Sequence, residues 1–290
     1  MIKNIGVIGA GQMGSGIAHV CLLADYTVYL TDTSEKALEK AIENINKNMK
    51  KQVERGKFSL KEKDHALSKL HTFKDLKPLK ECDLIIEAAT ENEDTKKDIF
   101  KNLTPFLSPQ CFLATNTSSI SITALGAVTD RPHKFIGMHF MNPVPVMQLV
   151  EIIRGIETSD ATFEATQEVV KQLGKQSILS QDYPGFIVNR ILLPMINEAI
   201  YALFEGVGTT EAIDKGMRLG TNHPMGPLEL ADFIGLDTCA SILEVLYNSR
   251  GESKYKPCPL LIKYVEGGWL GRKSGRGFYD YTGEHPVPTR

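Results

Sequence analysis

The stretch "IGVIGAGQMGSGIA", Ile5 to Ala18, decides the fold class. A short apolar run with β-branched residues gives way to Gly9, Gly11 and Gly14 in G-x-G-x-x-G spacing, and then to a helical pattern. Gly9 permits a tight turn, Gly11 lets backbone approach a pyrophosphate, and Gly14 allows close helix–sheet contact where helix amides favour anions. A lone glycine motif is weak, but this one opens a βαβ unit whose second strand ends at Asp32, 18 residues after Gly14. Dinucleotide binding is the expectation. A carboxylate at that strand end accepts from the adenosine ribose hydroxyl and repels a 2′-phosphate, and no arginine follows in "TDTSEK", so NAD is expected over NADP.

Outward from the loop, further strand-like runs stand at 27–32 ("TVYLTD"), 83–89 ("DLIIEAA"), 112–118 ("FLATNTS") and 135–140 ("FIGMHF"), separated by helical patterns. Apolar strands alternating with helices indicate a parallel sheet covered on both faces, the α/β Rossmann-type doubly wound architecture. From about Pro184 the spacing turns to a 3.6-residue period, as in "PGFIVNRILLPMINEAIYALFEG", which indicates an all-helical C-terminal domain. Pro184 and Gly185 close the stretch "SILSQDYPG", so the domains are expected at 1–184 and 185–290.

Composition bounds the function. The chain has 290 residues, is 42% hydrophobic and 23% charged, and carries a net charge of −2, which leaves no electrostatic footprint for nucleic acid. Its apolar runs are too short to span a bilayer, and its first residues enter a strand signal instead of a leader pattern, so no membrane and a cytoplasmic location are expected. Five scattered cysteines without a C-x-x-C pair read as reduced, packed thiols.

Three further segments carry candidate chemistry. The helical pattern after Asp32 opens on Ser34, an N-cap residue, and stacks Lys47, Lys51 and Arg55 at i, i+4, i+8, as either a solvated face or a patch for a phosphorylated substrate handle. The strand-like run 112–118 ends in Asn116 and Ser118 at the sheet's ligand-binding edge, as caps or, for Ser118, as a hydrogen-bond donor to a substrate oxygen. The stretch "HFMNPVPVMQLVEII", His139 to Ile153, carries Glu151 into an apolar strand. A buried unpaired charge is costly. If the chain folds back about Pro145, antiparallel pairing sets His139 opposite Glu151. His139 reads as a metal ligand, a core histidine or a general base. Neither an H-E-x-x-H helix nor a Cys/His cluster supports metal, so none is expected.

Taken together, "GVIGAGQMGSGIA", "EAATEN", "TNTSSI", "GMHFMNPVPVMQLVEII", "PGFIVNRILLPMINEA", "NHPMGPLELADFIGLD" and "GWLGRKSGRGFYDY" resemble the short-chain L-3-hydroxyacyl-CoA dehydrogenase family over essentially the whole chain. The likeness is strongest to its stand-alone bacterial members acting on 3-hydroxybutyryl-CoA. The resemblance implies an NAD-dependent oxidoreductase interconverting (S)-3-hydroxybutyryl-CoA and acetoacetyl-CoA. It implies His139 as base, Glu151 as its partner, and Ser118 and Asn189 on the reacting oxygen. On the cofactor side it implies the glycine loop with Gln12 and Met13, and Asp32, Glu91, Lys96, Asn116, Ser118, Asn142 and Lys273. Lys51 and Arg55 become expected coenzyme A contacts, the partner an acyl-CoA substrate, and the assembly a homodimer through the helical domain. Two rivals remain: a dehydrogenase of free hydroxy acids on a related scaffold, and an NAD-sensing module without chemistry.

Overall fold

The computed structural model describes residues 2–289. By its internal contacts the chain divides into two compact units, Met1–Phe186 and Ile187–Arg290.

The first unit is an eight-stranded sheet. Its strands are β1 Asn4–Ile8, β2 Thr27–Thr31, β3 Leu70–Phe73, β4 Leu84–Glu87, β5 Phe112–Thr115, β6 Phe135–Phe140, β7 Leu149–Arg154 and β8 Gln176–Gln181, in the order β3-β2-β1-β4-β5-β6-β7-β8. β1 to β6 run parallel, in the strand order of a dinucleotide-binding sheet. β7 then returns antiparallel to β6, and β8 pairs parallel to β7. β4 and β6 are buried at every position because helices cover both faces, and each carries one ionisable residue, Glu87 and His139, into that setting.

The helices α1 Gln12–Leu23, α2 Glu35–Glu54, α3 Leu60–Ser68, α4 Glu93–Leu103, α5 Ile122–Gly126 and α6 Asp160–Gln172 complete the unit. Strand periodicity divides the core in two. Ile86, Met138 and Ile152 pack with α1 and α2, while Ile85, Phe135 and Ile153 pack with Phe100 of α4 and Leu125 of α5. Ser34 caps α2 by accepting from the Ala37 amide, and Ser59 with Glu62 forms a capping box on α3.

Two strands depart from the sequence expectation. β3 and β8 are the sheet's edges and are only partly buried, so polar residues break their apolar runs into "LHTF" and "QSILSQ". The stretch before the expected boundary therefore supplies a strand before the chain turns at 184–187.

The second unit comprises α7 Val188–Phe204, α8 Thr210–Thr221, α9 Pro227–Ile234, α10 Leu236–Arg250 and α11 Pro259–Glu266, with a two-residue ladder, β9 Tyr279–Asp280 and β10 Val287–Pro288. Its core joins Ile196 and Ile200 of α7, Leu228 of α9, Leu243 of α10, Leu261 of α11 and Phe278. Two buried aspartates hold it together. Asp214 accepts from the Leu228 and Glu229 amides at the start of α9 and from the Tyr279 hydroxyl. Asp232 accepts from the Phe278 and Tyr279 amides and the Tyr281 hydroxyl.

Candidate active site

The glycine loop lies at the carboxyl ends of β1 and β4. Gly9 has φ +98°, and a Cβ there would stand 2.7 Å from the Ala88 carbonyl oxygen. A Cβ at Gly14 would strike the Gly9 carbonyl oxygen, so helix α1 starts hard against the strand. Nothing lies within 4 Å of a Cβ built on Gly11, which leaves open space where a pyrophosphate needs it. The α1 N-terminus at Gly11 has no side-chain cap, so its amides remain available to an anion.

Asp32 is tied into this loop. Its Oδ2 accepts from the Ala10 amide at 2.8 Å and its Oδ1 from the Ser34 amide at 2.8 Å. Each oxygen keeps a further lone pair, and Asp32 lines a cleft of about 500 Å³ with Gly9, Gly11, Thr33, Lys74 and Ala88 among others. The loop, the open helix end and this carboxylate fit an adenine dinucleotide. Lys74 escaped sequence reading because it follows the unexpected strand β3; it is paired with Glu35 at 2.5 Å.

The next strand ends carry a polar network. Glu87, fully buried at the end of β4, receives Lys96 Nζ on both oxygens at 2.7 Å, Thr115 Oγ1 at 2.7 Å and the Ala89 amide at 2.7 Å. Lys96 is only 1% exposed, so its ammonium is committed to Glu87, with Glu91 3.8 Å away. Burial acts to raise the Glu91 carboxyl, but the Lys96 charge and hydrogen bonds from Thr117 and Ser118 hold it below the usual carboxylate range. Glu91 Oε1 accepts from the Ser118 amide at 2.8 Å and from the Ser118 hydroxyl at 3.1 Å. The Ser118 hydroxyl thus offers a ligand its lone pairs, and donates to one only by turning from Glu91. Asn116 accepts from the Phe140 amide at 2.9 Å, leaving its own amide protons free of that bond.

His139 and Glu151 meet as the fold-back geometry requires. β6 and β7 pair with His139 opposite Glu151, a register centred on Pro145, and His139 Nδ1 lies 2.7 Å from Glu151 Oε2. The imidazole is 7% exposed and the carboxylate fully buried. Directly opposed residues project to one face, here the face of Phe135 and Ile153, toward α4 and α5. The connecting loop is held at two points. Lys175 Nζ donates to the carbonyls of Val144 and Met147 at 2.7 and 2.6 Å, and Gly16 of α1 leaves room for Val144. Gln12 donates to Asn142 Oδ1 at 3.0 Å, so two expected cofactor residues from distant segments stand together. Met13 is half-buried at the edge of the core behind them.

The remaining expected site residues lie on other elements. Lys51, in the last turn of α2, and Arg55, its C-cap, are exposed. In the second unit Asn189 lies in the first turn of α7, half-buried, and Lys273 is paired with Asp237 at 2.5 Å. All five cysteines are free and buried, and burial pushes the Cys21, Cys111 and Cys239 thiols up to about 12. Among the described residues no cluster of three His, Cys, Asp or Glu is placed to hold a metal ion, and no helix is long and apolar enough to cross a membrane.

The sheet order, the open glycine loop and the strand-end carboxylate define a dinucleotide-binding protein of the Rossmann type. Residues 4–183 match the family model described as 3-hydroxyacyl-CoA dehydrogenase, NAD binding domain, and residues 185–281 match its C-terminal domain. The chain belongs to the 3-hydroxyacyl-CoA dehydrogenase family, and its cofactor is NAD. It is 60% identical over 290 residues to a 3-hydroxybutyryl-CoA dehydrogenase of Bradyrhizobium diazoefficiens, covering 100% of this chain and 99% of the relative. It is 52% identical over 280 residues to a probable 3-hydroxybutyryl-CoA dehydrogenase of Bacillus subtilis, covering 97% of this chain and 98% of that one. The crystal structure of an (S)-3-hydroxybutyryl-CoA dehydrogenase from Ralstonia eutropha superposes with a TM-score of 0.94 at 47% identity, covering 98% of this chain and 100% of that one.

Proposed function

We propose that this chain is an NAD-dependent dehydrogenase interconverting (S)-3-hydroxybutyryl-CoA and acetoacetyl-CoA, with His139 as general base and Glu151 as its orienting partner. The observation that carries the reading is the 2.7 Å contact between His139 Nδ1 and Glu151 Oε2 in a buried ladder. A carboxylate on Nδ1 favours the tautomer with the proton there, which leaves Nε2 with the lone pair a base needs. In the oxidative direction Nε2 takes the proton of the substrate 3-hydroxyl, and Glu151 stabilises the resulting imidazolium. In the reductive direction the imidazolium returns that proton to the alkoxide forming at C3. NAD supplies the hydride chemistry when bound, accepting the hydride from C3 or, as NADH, returning it.

Ser118 and Asn189 hydrogen-bond the reacting oxygen in this reading. Ser118 turns its hydroxyl from Glu91 to donate to the reacting oxygen, whose own proton faces His139. Gly9, Gly11, Gln12, Met13, Gly14, Asp32, Glu91, Asn116, Asn142 and Lys273 serve the dinucleotide, while Lys96 acts from behind by balancing Glu87 and Glu91. Lys51 and Arg55, both exposed on α2, meet coenzyme A phosphates. The division of labour is an NAD-binding domain at 1–184 and a helical substrate and dimerisation domain at 185–290, in a cytoplasmic homodimer.

The deciding assay is the loss of NADH absorbance on adding acetoacetyl-CoA, with acetoacetate and NADPH as alternatives. Fast turnover with acetoacetyl-CoA and NADH, and slow turnover with either alternative, is the expected result. Activity with acetoacetate and none with the thioester would mark a free hydroxy acid dehydrogenase. Equal rates with NADPH would remove the role given to Asp32.

A further inference from the structure

Among the described residues three that are not glycine have positive φ: Asp25 at 69°, Asn222 at 57° and Phe186 at 50°. Aspartate and asparagine enter the left-handed region readily because a short polar side chain bonds locally, and Asn222 does so as the C-cap of α8. Phenylalanine has no such compensation, and a bulky residue in that region is a true outlier. Phe186 also follows Gly185, whose φ is 76°, so two successive residues turn left-handed where one glycine would have served a simple turn. Backbone strain of this kind persists only where the surroundings over-determine it, and it collects at functional sites.

The strained turn determines where the ring goes. The Phe186 amide donates to the Tyr183 carbonyl at 2.9 Å, which closes the turn, and the side chain is 5% exposed on the α4–α5 face of the sheet. Its ring centroid lies 5.7 Å from that of His139, with the planes inclined by 59°. That is the tilted geometry aromatic pairs favour. The bond from Nδ1 to Glu151 fixes one point of the imidazole, but a single hydrogen bond leaves the ring free to rock about it. A tilted aromatic ring packed beside the imidazole limits that freedom and covers that side.

We propose that Phe186 is a positioning residue for the reaction, its left-handed backbone retained because it holds the ring against His139 and so aims Nε2. This rests on the reading of His139 as the base. The competing role is core filling, since Phe186 also belongs to the apolar cluster that includes Ile8, Ile122 and Ile153. Leucine and methionine separate the two roles, because both fill apolar volume without an aromatic ring.

Phe186→Leu and Phe186→Met are compared with the wild type in acetoacetyl-CoA reduction by NADH. A misplacement of about 1 Å can cost on the order of 100-fold, so kcat is expected to fall roughly 10- to 100-fold in both. KM for NADH and for acetoacetyl-CoA should stay within about threefold, because the interaction lost belongs to the reacting geometry. In ¹⁵N-labelled protein the hydrogen-bonded Nδ1 proton of His139 should broaden in both variants, and Phe186→Tyr, which keeps the ring, should restore both its signal and kcat. Should leucine fail to fold, methionine carries the comparison. Wild-type kcat in either variant overturns the role, as does a loss of kcat that only follows loss of folded protein. His139→Gln is measured in parallel. If it turns over normally the base assignment fails and takes this inference with it; if it is inactive while the Phe186 variants are normal, only the positioning role fails.

Discussion

Glu87 and Glu151 lie in the same sheet, both fully buried, and they solve the same electrostatic problem in different ways. At the end of β4, Glu87 takes both its bonds to Lys96 at 2.7 Å, with Thr115 and the Ala89 amide as further donors. Four hydrogen bonds of 2.7 Å to one buried carboxylate make that pair a fixed brace. On β7, Glu151 is met by His139 through Nδ1 at 2.7 Å, which leaves the second ring nitrogen outside that bond. Burial of a carboxylate in such a sheet is therefore no sign of chemistry by itself. What its partner keeps outside the bond separates a brace from a candidate proton carrier.

The contrast breaks or holds on three substitutions. His139→Gln should lower kcat by about 10²–10⁴-fold, the usual worth of general acid–base catalysis, while NADH fluorescence titration shows unchanged binding. Lys96→Met should act on the fold instead. It strands a fully buried carboxylate, and removing one partner of a buried ion pair costs about 3–5 kcal/mol, which would appear as a lower urea midpoint at constant slope. If the midpoint stays in place and only NADH affinity falls, Lys96 is a cofactor ligand and Glu87 is no brace. The smallest effect concerns Asp232 in the second unit, whose partners are amides and a tyrosine hydroxyl. Burial pushes its carboxyl up to about 6, against the amide hydrogen bonds and with help from Asp214. Its folded-state pKa is above its ordinary value of 3.8, so the folded state holds the proton more tightly. The stability this gives is fully present below 3.8 and is lost as pH rises through about 6. Asp232→Asn should flatten that part of the melting-temperature profile across about pH 4 to 7, and an unchanged slope would show that Asp232 does not set it.

The sequence carries much of this arrangement where one rule dominates. The glycine spacing, the strand-end Asp32 and the pairing of His139 with Glu151 follow from turn sterics and from the constant index sum of an antiparallel ladder. The edge strands β3 and β8 were not legible, because half-exposed strands mix polar residues into the apolar signal. The brace was hidden differently. Glu87 reads as one more strand residue and Lys96 is named only through the resemblance, on the cofactor side, and only the strand-to-helix turn brings them together. A carboxylate closing an apolar strand, with a lysine in the next helix's first turns, is the signal that could have paired them. Lys175 is a similar case, since its role depends on two backbone carbonyls of the 142–147 loop. Phe186 was unreadable in principle: "PGF" announces a turn but not which residue takes the left-handed conformation.

The pairing of His139 with Glu151 as one catalytic unit is tested most directly by a double-mutant cycle on kcat for acetoacetyl-CoA reduction, using His139→Gln, Glu151→Gln and the two together. If Glu151 works only through the imidazole, the double variant loses no more turnover than His139→Gln alone, as residues acting as a unit are strongly non-additive. Losses that multiply would mean that the two act independently, and would contradict the reading of the buried ladder as a base and its orienting partner.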